Sequence, residues 1–123
     1  MNERADAEAL ELVKIVKSIG ELDKLLGTLM RGLRPMRPWQ RQLLMRLEQA
    51  DREVQVLRMT MALSREPQEI EQAAIDLHAT LCTAFRELAG GRADVMTRVA
   101  MQLARELGNQ VRGALALKRK EGN

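Results

Sequence analysis

Two stretches of this 123-residue chain hold side chains that could do chemistry. The first is His78 with Cys82, four residues apart and therefore on one face of a helix. That spacing suits two zinc ligands, or a thiol nucleophile beside an imidazole base. A structural zinc takes four ligands, and the chain has no other histidine or cysteine. Asp76 falls on another face, and Glu71, two turns away, is the one further oxygen donor within reach. Nothing in the sequence orients the imidazole as a base. The reading is therefore of no catalytic residue, no metal and no cofactor, with His78 and Cys82 half-buried beside a core.

The second stretch is basic. Lys24, Arg31, Arg34, Arg37, Arg41 and Arg46 succeed one another with no acid between Asp23 and Glu48. Residues 1–23 carry six acids and three bases, and residues 48–123 carry eleven of each. The net charge of +3 thus arises wholly from 24–47. Arginine pairs bidentately with carboxylate or phosphate. Trp39, the only tryptophan, stands among these arginines. Its ring suits stacking on a base, insertion at an interface, or covering the end of a helical bundle.

The elements that must position these residues are helices. Pro35 and Pro38 end one helix and begin another, Pro67 suits a first helical turn, and Gly90-Gly91 is a stop signal. These marks divide the chain into helices over about 5–33, 38–64, 67–89 and 92–120, with 121–123 expected to fray. Apolar residues repeat every three or four positions in each. The seams are Leu12-Ile15-Ile19-Leu22-Leu26-Leu29-Leu33, then Leu43-Leu47-Ala50-Val54-Leu57-Met61. Ile70-Ala74-Leu77-Leu81-Ala84-Leu88 follows, and last Met96-Ala100-Leu103-Leu107-Ala114-Leu117, with Gln110 where an apolar residue is expected. Short turns make sequential helices antiparallel, so the expected fold is all-α: an up-down-up-down four-helix bundle with coiled-coil-like heptad packing. A dimerising hairpin of the first two helices is the rival.

A lone histidine on such a bundle is similar, at the level of fold, to histidine phosphotransfer domains. Their histidine is followed closely by lysine and glycine, whereas Ala79-Thr80-Leu81-Cys82 follows His78. The phosphotransfer motif is therefore absent. Di-iron bundles need Glu-x-x-His pairs, and the residue three before His78 is Ile75. An enzyme is not expected.

In an up-down bundle the first and third turns share an end. Arg31, Arg34, Arg37, Trp39 and Arg41 then meet Arg86 and Arg92, a basic tip for a partner. The function expected is a non-catalytic helical protein-interaction module: an adaptor, a secretion-type chaperone or an assembly subunit, with a protein partner or a second copy bound. The alternative is a nucleic-acid accessory protein that contacts phosphates through the tip arginines. The polar, acid-rich start lacks the pattern of a signal peptide, and no run approaches the ~20 apolar residues of a membrane span. One cysteine permits no internal disulfide, so a cytoplasmic location is expected.

Overall fold

The computed structural model describes residues 3–121, with their side chains except at 4, 5 and 121. Of residues 121–123, expected to fray, Glu121 ends the last helix, and 122 and 123 lie outside the described residues. Regular structure among the described residues is helical: α1 (Glu3–Gly32), α2 (Pro38–Ala62), α3 (Pro67–Glu87) and α4 (Val95–Glu121). Helix α1 packs on α2 and α4, and α3 packs on the same two, so four helices surround one core. No helix among the described residues is long and apolar enough to cross a membrane.

The seams of α1, α2 and α3 supply the core as their spacing predicts. Ile15, Ile19, Leu22 and Leu26 are buried on α1, and Leu43, Leu47, Ala50, Val54 and Leu57 on α2. Helix α3 adds Ala74, Leu77, Leu81 and Ala84. Leu12 departs from the pattern at 40% exposure. It lies level with the α2–α3 turn, sharing a hollow with Met61 and Ser64, so no further helix covers it.

Helix α4 corrects the sequence reading. Of the expected seam, Leu107 is buried, Ala100 and Ala114 are half-buried, and Met96, Leu103 and Leu117 are exposed, while Met101, Ala104, Gly108, Val111 and Leu115 are buried. The true seam also steps by three and four, but it runs along a neighbouring face. The reason is close approach. A Cβ built on Gly108 would lie 2.8 Å from Leu81 Cδ1 and 3.8 Å from His78 Cα. Interiors are close-packed, and Ala104 and Gly108 let α3 and α4 come nearer than a stripe of leucines would. Gln110, the apparent flaw in the expected seam, is exposed.

Four boundaries differ by two residues or more. Helix α1 begins at Glu3 rather than Ala5. Helix α4 begins at Val95 rather than Arg92 because Asp94 caps it: Thr97 donates its backbone N–H to Oδ2 (3.1 Å) and its hydroxyl to Oδ1 (2.6 Å). Those bonds hold the Asp94 carboxyl below its ordinary range. Helix α3 stops at Glu87, short of Ala89, and the turn passes through Gly91 at φ 87°. Helix α2 stops at Ala62, because Ser64 enters the left-handed region at φ 51° and Arg65 N–H reaches back to the Thr60 carbonyl (3.0 Å).

Polar pairs tie the helices together. Asp23 on α1 meets Arg58 on α2, at 3.3 Å. Arg46 and Glu53 on α2 meet Glu87 and Thr80 on α3. Glu71 on α3 meets Arg119 on α4, at 2.9 Å.

Candidate functional site: the arginine-rich end

The turn between α1 and α2 is built around Gln40. Its side-chain oxygen accepts from the backbone N–H of Met36 (3.2 Å) and of Arg37 (2.8 Å), tying the turn to the first turn of α2. Pro38 opens α2, where its missing N–H costs nothing. Arg41 reaches back to donate to the Met36 carbonyl at 2.9 Å. The five residues between the helices are thus fixed by local bonds.

Trp39 faces inward. It packs against the core and lines a small hollow with Gln42, Leu43, Ala84, Glu87 and Leu88. Its indole Nε1 is buried and has no hydrogen-bond partner among the described residues. Of the roles open to this ring in the sequence, it takes the one that covers the bundle end. The contact brings the start of α2 against the end of α3, and so sets the α1–α2 turn beside the α3–α4 turn.

Around that end stand the six arginines singled out in the sequence. Arg31 and Arg86 donate to the hydroxyls of Thr28 and Thr83, each at 3.3 Å. Arg34, Arg37 and Arg92 are exposed. Among the described residues, none of these, nor Arg41, forms an ion pair. The nearby acids are engaged elsewhere. Glu87 takes two bonds from Arg46 (2.9 and 3.2 Å) and one from Gln42. The Arg46 guanidinium holds its carboxyl below the usual carboxylate range. Asp94 is occupied as the cap of α4. Arg46, part of the basic run in sequence, is thereby set apart from the other arginines.

The His78–Cys82 pair lies elsewhere, half-buried on the side of α3 that meets α4. Cys82 Sγ is 3.4 Å from His78 Nε2. Burial pushes the imidazole pKa below its ordinary value, and Arg112 and Arg105 on α4 push it further. Arg105 also lies over the Phe85 ring at 4.2 Å. The neighbours of the imidazole are therefore cationic, and Glu71, the one extra donor within sequence reach, is bonded to Arg119. Among the described residues there is no group of three His, Cys, Asp or Glu that could hold a metal ion.

A polar pair that sequence reasoning missed joins α2 to α3. Thr80 is buried at 7% exposure and donates its hydroxyl to Glu53 at 2.5 Å. Burial raises the Glu53 carboxyl above its ordinary range, partly countered by the Thr80 bond; Asp76 adds to the rise and Arg52 opposes it. A raised folded-state value means the native chain binds this proton more tightly than the unfolded one. The ionised group therefore lowers stability as pH rises above the unfolded value near 4.5. Glu53→Gln keeps an oxygen for Thr80 and removes the charge. Because Glu53 is only half-buried, solvent screening limits the expected gain to roughly a few tenths of a kcal/mol at pH 7. That gain should fade as pH falls through 4.5. Urea denaturation of both proteins at the two pH values measures it, and an equal gain at low pH would exclude the ionisation as its cause.

No protein-family model matches this chain, and no curated protein and no solved structure matches it either.

Proposed function

We propose that this chain is a non-catalytic protein-interaction module, an antiparallel up-down bundle that meets an acidic protein surface with its arginine-rich end. The observation behind this reading is an asymmetry in pairing. Six arginines stand about two adjacent turns without an ion pair among the described residues, while the acids beside them are bound to Arg46, Gln42 and Thr97. A carboxylate-bearing partner supplies the pairing that the chain itself does not. Charge is screened over about 8 Å at physiological salt, so the partner must touch this end to be held by it. Trp39 favours a protein over a single-stranded nucleic acid. Its ring is half-buried against the core, which leaves a reduced platform for a base.

The test is the double variant Arg34→Glu with Arg37→Glu. Both residues are exposed at a turn, so the circular dichroism of the variant should match wild type. Binding of fluorescent polyglutamate and of a short DNA duplex is followed by anisotropy at physiological salt. Wild type should bind polyglutamate in preference to the duplex, and the variant should bind it at least tenfold more weakly, a loss of about 1.4 kcal/mol. Preference for the duplex would move the function to nucleic acid. Unchanged binding by the variant would make this end ordinary solvated surface.

A further inference from the structure

The opposite end of the bundle holds a trench that the arginine-rich turns do not account for. Two hollows form it. One, of about 400 Å³, opens among residues of all four helices: Leu12, Met61, Pro67, Ile70 and Leu115. The other, of about 490 Å³, lies in the groove between α1 and α2, walled by Leu12, Val16, Ile19, Met61 and Ala62. Leu12 and Met61 line both, so the two hollows lie side by side against these two side chains. Each falls in the size range of small-ligand sites, and each has an apolar floor.

Every charged side chain that lines the trench is a cation: Arg58 in the groove, and Arg65, Lys118 and Arg119 at the bundle end. Two of the three end cations keep donors to spare. Arg119 uses Nε on Glu71, and Arg65 uses Nε and Nη2 on Glu69, leaving the other guanidinium N–H groups without an acceptor among the described residues. Lys118 forms no ion pair among them, although it also borders a neighbouring hollow that Glu8 and Glu11 line. The positive end of the α3 dipole, marked by Pro67, opens on the same hollow.

We propose that the trench binds a single-chain amphipathic anion, an acyl carboxylate whose chain lies along Leu12 and Met61 and whose head group sits among Lys118, Arg65 and Arg119. The shape favours a chain over a partner's helix. An α-helix with its side chains is about 10 Å across, too wide to pass from the α1–α2 groove into the space between four packed helix ends. A flexible chain follows that path, and the cations at one end set its direction.

Titration calorimetry tests this with decanoate and dodecanoate below their self-association concentrations. Dodecanol and a dodecyl quaternary ammonium serve as neutral and cationic analogues. We expect one site per chain, dodecanoate about tenfold tighter than decanoate, and both analogues at least tenfold weaker. Lys118→Glu, alone or with Arg65→Glu, should weaken dodecanoate at least tenfold and leave dodecanol unchanged. Val99→Glu, on α4 away from the trench, should bind as wild type. Absence of saturable dodecanoate binding overturns the proposal, as do equal affinities for acid and alcohol or indifference to Lys118→Glu. An acidic amphipathic peptide that binds here when dodecanoate does not would assign the trench to helix docking instead.

Discussion

Replacing Gly108 by leucine should cost about 2–3 kcal/mol of stability, a large share of the ~5–15 kcal/mol that holds a domain of this size. Gly108 is a point where α4 comes close against α3. The atom opposite its absent Cβ is the terminal Cδ1 of Leu81, a fully buried side chain that can give way to a methyl but not to a whole leucine. Behind it stands the backbone of His78, which moves only if the helix moves. Leucine is the better helix former by nearly 1 kcal/mol, so a surface glycine replaced in this way would gain stability. Here the overpacking outweighs that gain. Alanine separates the two effects: its single methyl meets only the flexible end of Leu81, and the variant should fall within about 1 kcal/mol of wild type. Urea denaturation of Gly108→Ala and Gly108→Leu gives both values. A leucine variant as stable as wild type would mean that α3 and α4 do not meet at Gly108.

Arg119→Met should cost about 1–3 kcal/mol, although Arg119 stands only two residues from the end of α4. Its partner is the reason. The Glu71 side chain is 15% exposed, and its Oε1 takes the Arg119 Nε–H at 2.9 Å. The other oxygen, Oε2, is buried without a hydrogen bond among the described residues. Removing the guanidinium leaves a carboxylate shielded from water with neither partner nor full hydration, and that desolvation is the cost. Surface pairs such as Arg65–Glu69, with both side chains about half exposed, should contribute far less. The double variant Arg119→Met with Glu71→Leu removes the stranded charge and should recover most of the loss. Thermal unfolding of the four proteins of the cycle isolates the pair energy. If the single variant lost no more than Arg65→Met, the Glu71 carboxylate would be hydrated in solution.

What the sequence determined by itself was what local chemistry determines. Proline at Pro38 and Pro67 and the glycines at Gly90 and Gly91 mark turns through their own backbone constraints, whatever surrounds them. The three-four spacing on α1, α2 and α3 named their core residues because each offers one dominant stripe of large apolar side chains. The block of arginines was visible too, since charge needs no fold to be counted.

The tertiary structure decided whatever depends on a neighbour. Helix α4 carries two stripes of similar periodicity, and its own residues do not choose between them. The choice fell to Gly108 and Ala104, whose value lies in what they omit, and the omission matters only once Leu81 and His78 stand opposite. Leu12 belongs to the α1 seam, yet it lines an open hollow because α2 ends level with it. Trp39 turns inward because the end of α3 offers Ala84 and Leu88 to cover. Arg46 is set apart from its fellow arginines by Glu87, forty-one residues away in sequence. In each case a side chain's role follows from the element brought against it, and periodicity along one helix carries no information about that.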